Sequence, residues 1–268
     1  MTKNKKLSRA IIKISGVDAT KFLQGLFSCN IEDIGLNEGN YSLMLSNKGR
    51  YNFDLFVIKL TDYYLIDIAK EYAQEFVKKL NFYKLVSKVQ IEVLDNYNVY
   101  ASSVFRKEDI CYKDPRHINL GYRLISTKDV DDDKIMNEED YNNLRYNLGI
   151  LESSEIREGI IPLEYGFDEL QAISYTKGCY LGQEFTNATK NKLEVRKRVL
   201  FLKGNFNTIK INDDVLNLQS EVVGKVVYMS EGFIFANLKM QYIDEEVYIS
   251  GEKIKFIKRD WITTYSLN

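Results

Sequence analysis

The sequence predicts an α+β fold that ends in a small β-barrel. Up to about residue 197, β-rich segments alternate with a few segments whose apolar residues recur at helical spacing. Beyond that point only short β-rich segments follow one another, and closing them into a small barrel or a sandwich removes exposed strand edges. Apolar residues make up 45% of the chain and charged residues 28%, as is usual for a globular protein. We therefore expect one region over residues 1–197 and the barrel over residues 198–268.

The first elements follow from local patterns. Residues 10–14 have the character of a strand. Asp18 is a suitable N-cap for a short helix, and Gly25 is placed to help end it. This helix would direct three apolar side chains inward, namely Phe22, Leu23 and Leu26. The turn Ser46-Asn47-Lys48-Gly49 separates two β-rich runs, and a third run follows them. The corresponding strands are expected at residues 41–45, 52–60 and 63–68.

Two further helices are predicted. Residues 70–83 show helical spacing, which indicates a helix lying on the sheet; its apolar residues are Tyr72, Ala73, Phe76, Val77 and Leu80. Asn137 is the predicted N-cap of the other helix, whose inward face would carry Tyr141, Leu144 and Leu148. The acidic stretch 129–133 before it is expected to be a solvated loop. The remaining strands are expected at residues 85–94, 98–105, 198–203, 221–229, 232–239, 246–250 and 253–258, with a hairpin turn at Ser230-Glu231-Gly232.

Charge and cysteine content disfavour several classes of protein. Lys and Arg number 37 against 38 Asp and Glu, so net charge provides no global attraction to nucleic acid or to anionic membranes. The three cysteines lack the spacing of a disulfide framework or a zinc site, which fits a reducing compartment. No apolar run is long enough for a signal-peptide core or a membrane span. We therefore expect a cytoplasmic protein that does not bind membranes. His117 is the single histidine, which disfavours many acid–base mechanisms.

The densest cluster of unusual residues is SYTKGCYLGQE, at residues 174–184. Gly178 and Gly182 flank Cys179, permit tight backbone turns and leave little steric cover over the thiol. Lys177 is close enough in sequence to favour the thiolate, and a helix beginning near Gly182 would add its N-terminal dipole. The pattern predicts an accessible, reactive thiol.

The alternative for each cysteine is inert packing, because free cysteine is among the residue types most often buried. This alternative stays open for Cys179. For Cys29 and Cys111 it is the favoured interpretation, since neither has comparable surroundings. A surface or structural role is likewise favoured for His117, which has no partner motif.

The run KGCYLGQE resembles the signature of the YgfZ family, which is related to the T-protein aminomethyltransferase of the glycine cleavage system. Tyr180 fills the family's aromatic position, and the fixed positions are matched by Lys177, Gly178, Cys179, Gly182, Gln183 and Glu184. Residues 16–25 resemble the family segment G-x-D-A-x-x-F-L-Q-G. Further resemblances are Gly49, Arg50, Asp54, Arg145, Gly149, Pro162, Glu164 and residues 196–198. The resemblance therefore covers most of the chain.

The resemblance implies an aminomethyltransferase-like, folate-binding fold, in which residues 1–197 form two intertwined α+β subdomains that surround a central cavity together with the barrel. It implies tetrahydrofolate or a one-carbon derivative as the cofactor, with candidate contacts at Asp54, Asn147, Glu164, Lys177 and Arg196. The implied function is assembly or repair of iron–sulfur clusters in client enzymes, including enzymes that modify tRNA. The partners would be iron–sulfur client or carrier proteins, and the protein would be an accessory factor more than an enzyme.

Cys179 is the functional thiol that the resemblance implies. A thiolate ligates iron and attacks electrophiles, which suits such a role. One cysteine does not hold a cluster alone, so Cys179 would act transiently as a shared ligand, a redox-sensitive thiol or a contact point. No resident metal site is predicted.

Several positions depart from the family pattern. Many relatives carry an acidic residue that holds the pterin where this chain has Asn147, which offers one carbonyl oxygen and no charge. Weaker or differently anchored folate is therefore expected. The other departures are Gly166, Ala188 and Leu193, where asparagine, arginine and glycine are common in relatives.

Two other functions stay open. A folate-dependent aminomethyltransferase would use Asp54 to orient or activate folate, although the transferase relatives lack the cysteine signature. A nucleic-acid-binding module would use the basic residues of segment 190–198, which are Lys190, Lys192, Arg196, Lys197 and Arg198. A solvated face is favoured for that segment because the whole chain is close to neutral, and the segment could instead meet the glutamate tail of folate. Asp54 and Glu164 could equally belong to structural ion pairs.

Overall fold

A computed structural model describes residues 5–107, 109–191 and 195–261, with residues 189–191 described by their backbone alone. The α-helices are α1 (Ala19–Leu26), α2 (Ala73–Lys84), α3 (Glu138–Asn147) and α4 (Gln183–Asn191). The strands are β1 (Arg9–Ser15), β2 (Gly39–Leu45), β3 (Tyr51–Lys59), β4 (Tyr63–Ala69), β5 (Gln90–Leu94), β6 (Asn98–Ser102), β7 (Ile110–Lys113), β8 (Tyr122–Ser126), β9 (Ile135–Met136), β10 (Lys197–Lys203), β11 (Asp214–Leu216), β12 (Val222–Ser230), β13 (Phe233–Lys239), β14 (Val247–Ile249) and β15 (Glu252–Ile254). Short 3₁₀ turns lie at Lys70–Tyr72, Ile118–Leu120, Ser153–Glu155, Pro162–Tyr165 and Met240–Tyr242.

The strands of the described ranges pair antiparallel in three sheets. The first has the order β2-β3-β4-β1-β5, the second β7-β8-β6-β9, and the third β10-β13-β12-β11-β14-β15. The first and third sheets are joined in sequence by the second sheet, α3, a long irregular segment and α4. This order places the cysteine signature between the end of the α+β region and the first strand of the third sheet.

Both faces of the first sheet are covered, and successive side chains of a strand point to opposite faces, so one strand contributes to two cores. On β3, Phe53 and Val57 pack in the cluster that includes the buried faces of α1 and α2. Phe56 and Ile58 belong to the central core shared with the second and third sheets. Asp54 lies on the same side of β3 as Phe56, so the chain places a carboxyl group toward that central core.

A buried ionic network connects the first and second sheets. Asp67 on β4 accepts hydrogen bonds from Arg9 on β1 at 2.6 Å and from Arg123 on β8 at 2.6 and 3.0 Å. Burial opposes ionisation of Asp67, but the two guanidinium groups outweigh it and hold the pKa of this carboxyl below its ordinary value. The guanidinium carbons of Arg9, Arg116 and Arg123 lie 5.6, 4.8 and 3.9 Å from the centre of the Phe56 ring. Because these charges are buried, removing one partner is destabilising.

The third sheet curls into a barrel. Ile257, which follows β15, forms an antiparallel bridge with Phe201 on β10, and its N–H donates to the Phe201 carbonyl at 2.8 Å. The first strand and the segment after the last strand are thereby joined, which removes an open edge. On the outside of the barrel, Phe201, Phe233 and Phe235 pack in the central core. The small C-terminal barrel predicted from the sequence is present.

Several predicted details are confirmed and others are wrong. The turn at residues 46–49 joins β2 and β3, and the Asn137 side chain accepts from the Asp140 N–H at 2.9 Å as the N-cap of α3. Gly25 lies inside α1, which ends at Leu26, so it does not end the helix. The strand expected from residue 85 begins only at Gln90, since α2 runs to Lys84 and the backbone then turns.

The buried face of α3 also differs from the prediction. Tyr141 is buried as expected, but Leu144 and Leu148 are only half-buried, whereas Arg145 is buried. The burial of Arg145 is possible because its guanidinium donates to both oxygens of Glu155, at 2.9 and 2.7 Å. Strands β7, β8, β9 and β11 were not predicted, because runs of two to five residues are too short to show a period. Within the described ranges, no helix has the length and apolar character needed to cross a bilayer.

Candidate functional site

The cysteine signature forms a loop held from inside by Lys177. The Lys177 ammonium donates to the carbonyl oxygens of Gln24 at 2.7 Å, Phe27 at 2.7 Å and Cys29 at 2.8 Å. These carbonyls lie at the C-terminal end of α1 and in the segment after it, where a positive charge is favourable. Burial lowers the pKa of Lys177 to about 8. All three protons of the ammonium are used by these carbonyls, which leaves none to donate to the Cys179 sulfur.

Gln183 and Gly182 fix the other side of the loop. The Gln183 side chain donates to the Lys177 carbonyl at 3.4 Å and accepts from the Tyr180 N–H at 3.3 Å. Gly182 has φ +82°, and a Cβ there would lie 2.5 Å from the Ser46 carbonyl oxygen and 2.9 Å from the Gly49 Cα. Only glycine fits this approach between the loop and the β2–β3 turn. The signature residues therefore build a rigid loop.

Cys179 is exposed at the tip of this loop. Gly178 beside it has open space around the position of a Cβ, so no residue of the described ranges covers that side of the turn. The other cysteines are buried: burial raises the pKa of Cys29 to about 11 and that of Cys111 above its ordinary value. Cys179 is thus the accessible thiol of the three, as the sequence predicted, and inert packing is excluded for it.

A single thiol limits the chemistry of the loop. Within the described ranges, no group of three or more His, Cys, Asp or Glu side chains is placed to hold a metal ion. Cys179 therefore needs ligands from elsewhere if it is to contact iron.

A cavity of about 710 Å³ lies among the first sheet, the second sheet and the end of the barrel. It is bordered by the start of β2, by the segment from β7 to β8, by residues 169–171 and by Trp261. Tyr112 on β7 lines it, and the buried hydroxyl of Tyr112 has no hydrogen-bond partner within the described ranges. Burial raises the pKa of Tyr112 well above its ordinary value, so the hydroxyl is a neutral donor. The volume of the cavity and the free Tyr112 hydroxyl that borders it are typical of a small-molecule site.

Asp54 lies behind a wall of this cavity. Arg116 lines the cavity, and its guanidinium lies 5.1 Å from the ring centre of Tyr41. The Tyr41 hydroxyl donates to Asp54 at 2.8 Å, the Tyr51 hydroxyl at 2.5 Å and the Ser153 N–H at 2.8 Å. Three donors engage the buried carboxylate, so Asp54 holds the core around the cavity and does not line the cavity itself.

The other predicted folate contacts do not converge on the cavity. Asn147 is exposed at the end of α3, donates to Asn143 and accepts from Lys203. Glu164 is half-buried and accepts from Asn237 at 2.7 Å; burial raises its pKa. Arg196 is exposed just before β10. Cys179 and Lys177 are also absent from the residues that line this cavity within the described ranges. The structure thus separates the thiol loop from the cavity and disperses the predicted contacts.

The basic segment 190–198 does not form one charged surface. Arg198 is buried, with its guanidinium donating to the Leu163 carbonyl at 2.5 Å and to Glu169 at 3.0 and 3.2 Å. Arg196 and Lys197 are exposed. The side chain of Lys190 and the whole of Lys192 lie outside the described part of the structure. Arg198 is therefore removed from the residues proposed to bind phosphates.

Sequence reasoning did not find the residues that line the cavity. Tyr112, Arg116 and Trp261 come from the short strand β7, the loop after it and the end of the barrel. None belongs to a recognisable motif, and they meet only through folding. The sequence offered one signal for these residues, which is that Trp261 is the only tryptophan in the chain.

The fold is that of an aminomethyltransferase-like protein. It matches the glycine cleavage system aminomethyltransferase T from Bartonella henselae with a TM-score of 0.74, over 96% of this chain and 85% of that chain. The sequence identity is 12%, so the likeness shows the fold alone. The predicted fold class is confirmed, and the division of the chain at residues 197 and 198 stays a prediction.

The sequence is similar to proteins named iron–sulfur cluster assembly factor IBA57. It is 33% identical over 216 residues to the Pyricularia oryzae homologue and 32% identical over 245 residues to the Dictyostelium discoideum homologue, covering 72% of this chain in both cases. The Mus musculus protein is 28% identical over 229 residues, which cover 73% of this chain and 64% of that protein. The chain spans only 55% and 60% of the first two relatives. No protein-family model matches the chain.

These relatives also correct one prediction. Each is named as a mitochondrial protein, which contradicts the cytoplasmic location expected for this chain. Charge balance and hydropathy describe a folded chain and carry no information about its compartment, so the prediction was wrong.

Proposed function

We propose that this protein supports the assembly or repair of iron–sulfur clusters, with Cys179 as its functional thiol. The observation that carries the proposal is the exposed Cys179 on a loop that Lys177 and Gln183 hold in one conformation. A fixed, accessible sulfur can contact a cluster or a partner protein with little loss of conformational entropy. The similarity to proteins named as iron–sulfur cluster assembly factors gives the thiol its proposed context.

The thiol acts together with a partner. Because one sulfur does not complete the coordination of a cluster, the remaining ligands come from a client or carrier protein. Cys179 then serves as a transient ligand, a redox-sensitive thiol or a contact point. The client enzymes include those that modify tRNA.

The cavity is the proposed site of tetrahydrofolate or a one-carbon derivative. The described residues fit such a group: the free Tyr112 hydroxyl can donate to it, and aromatic rings of Phe105, Tyr122 and Trp261 line the same space. Lys113 and His117 also line it and offer polar partners for carboxylates. Bound tetrahydrofolate would supply a carrier for one-carbon units. Asp54 keeps Tyr41 in place behind Arg116, and is proposed to position the wall and not to touch the ligand.

Complementation tests the role of the thiol. Cys179→Ser is expected to fold normally and to fail to restore the activity of iron–sulfur enzymes in cells lacking this protein. Cys111→Ser is the matched control, because it removes a buried thiol while serine can still accept from the Arg106 N–H. Full activity of Cys179→Ser would remove the thiol from the mechanism.

The emission of Trp261 tests the folate site. Trp261 is the single tryptophan and lines the cavity, so added tetrahydrofolate should quench its fluorescence with a saturable dependence. Tyr112→Phe removes the free hydroxyl with little change of shape, and should weaken binding about ten-fold. Unsaturable quenching, or equal affinity of the two proteins, would remove tetrahydrofolate from this cavity.

A folate-dependent aminomethyltransferase is the second candidate, and the fold match to an aminomethyltransferase favours it. Asp54 would orient or activate folate in that reaction. Its carboxylate is already engaged by three donors, which disfavours a direct role. Release of a one-carbon unit from an aminomethylated carrier protein, at a rate that Asp54→Asn abolishes, would establish this alternative.

A further inference from the structure

A second cavity lies on the outer face of the barrel. Its volume is about 330 Å³, within the range of small-molecule sites, and the residues that line it within the described ranges do not overlap with those of the 710 Å³ cavity. Residues 222–227 of β12 line it and are called its floor here, where Gly224 has no side chain, and Ile160 and Tyr165 line it as well. The recess therefore has a floor made largely of valine side chains, with Ile160 and Tyr165 beside it.

Cationic side chains surround this recess. Lys197 on β10 and Lys239 on β13 are directly opposite each other in the strand register, and Arg157 lies on the same rim. Like charges directly opposite on neighbouring strands repel. The Lys239 ammonium donates to the Val222 carbonyl at 3.1 Å, and the Glu164 carboxylate lies near enough to Lys197 for the two charges to attract each other. One carboxylate compensates only part of the three positive charges of Lys197, Lys239 and Arg157. Lys225 also lines the recess but already pairs with Asp214 at 2.8 Å. The rim therefore carries positive charge that an anionic group would compensate.

One buried acceptor lies in the same recess. Asn237 is the residue two before Lys239 on β13, and its amide nitrogen donates to Glu164 at 2.7 Å. That hydrogen bond fixes the orientation of the amide. The Asn237 side-chain oxygen is buried and has no hydrogen-bond partner within the described ranges. A buried acceptor without a donor is unfavourable, so a ligand with an N–H or O–H group would satisfy it.

We infer that this recess binds a small molecule that carries a phosphate group and an amino-substituted ring. The phosphate meets Lys197, Lys239 and Arg157, the ring lies on the apolar floor, and its N–H donates to the Asn237 oxygen. Glu164 is then a positioning residue for Asn237, which gives a role to a residue that the sequence singled out and the 710 Å³ cavity does not use. The inference does not depend on the proposed function.

Calorimetric titration with AMP, the simplest common member of this class, tests the inference. We expect one AMP to bind per chain, and the double variant Lys197→Gln/Lys239→Gln to bind at least about ten-fold more weakly. The matched control Lys253→Gln/Lys255→Gln removes the same charge from elsewhere on the barrel and should bind AMP as the wild type does. Asn237→Ala should weaken AMP binding without changing the weak binding of inorganic phosphate.

Four results would overturn the inference. The first is the absence of saturable AMP binding at millimolar concentration, and the second is an equal affinity for adenosine, which lacks the phosphate. The third is equal weakening of AMP binding by the control variant. The fourth is displacement of AMP by tetrahydrofolate in proportion to the quenching of Trp261. The last result would place AMP in the other cavity. Thermal unfolding of each variant, compared with the wild type, shows whether a loss of binding reflects a loss of folding.

Discussion

Replacing Lys177 with methionine removes one ammonium and keeps most of the aliphatic stem. The ammonium donates to three carbonyl oxygens at 2.7, 2.7 and 2.8 Å, and hydrogen bonds to charged groups contribute about 1.5–3 kcal/mol each. The cost of burying the charge, which also lowers the pKa of Lys177 to about 8, offsets part of this sum. We expect the free energy of unfolding at neutral pH to fall by about 2–4 kcal/mol. For a chain of this size that loss lowers Tm by about 5–15 °C.

The same variant separates a structural role of Lys177 from activation of the thiol. Thermal unfolding measures the first, and the pH dependence of Cys179 alkylation measures the second. Because the ammonium is fully engaged by carbonyls, Lys177→Met should leave the alkylation profile unchanged. Lys78→Met, on the exposed side of α2, is the control for loss of one lysine and should change neither quantity. An unchanged Tm together with a displaced alkylation profile would refute the reasoning and restore Lys177 as a partner of the thiol.

Three further predictions concern the scaffold. Gly182→Ala should be more destabilising than Gly159→Ala by about 1–3 kcal/mol in urea unfolding. Both glycines have φ near +80°, but a Cβ at Gly182 meets backbone atoms whereas a Cβ at Gly159 meets no atom of the described ranges. Equal losses of stability would contradict the close approach at Gly182. Asp54→Ala leaves two tyrosine hydroxyls and one backbone N–H without their acceptor and should cost about 2–4 kcal/mol; an unchanged urea midpoint would argue against a structural role. Burial opposes ionisation of Glu152, but the neighbouring arginines hold the pKa of this carboxyl far below the ordinary 4.5. The ionised Glu152 therefore contributes to stability above pH 4.5, and this contribution is lost as the pH falls below 4.5. The urea midpoint should therefore be lower at about pH 3 than at about pH 6, and equal midpoints would contradict this account.

Local chemistry determined much of the fold. The turn at residues 46–49, the Asn137 cap and the apolar face of α2 depend on residues within a few positions of one another. Periodicity and capping therefore predicted them correctly. Short strands such as β7 and β9 were missed because their pairing partners supply the order that their own few residues do not encode.

The sequence by itself predicted an accessible Cys179 from its flanking glycines, but it left inert packing open until the structure placed this thiol at the surface. What the neighbouring residues do was decided only by the tertiary structure. Lys177 turns inward to carbonyls about 150 positions away in the chain, and Glu164 meets Asn237 on the barrel. Tyr112 and Trp261 become neighbours of one cavity although they are distant in sequence. The physical reason is that a long polar side chain takes the nearest unsatisfied partner in space, and spacing along the chain does not fix which partner that is.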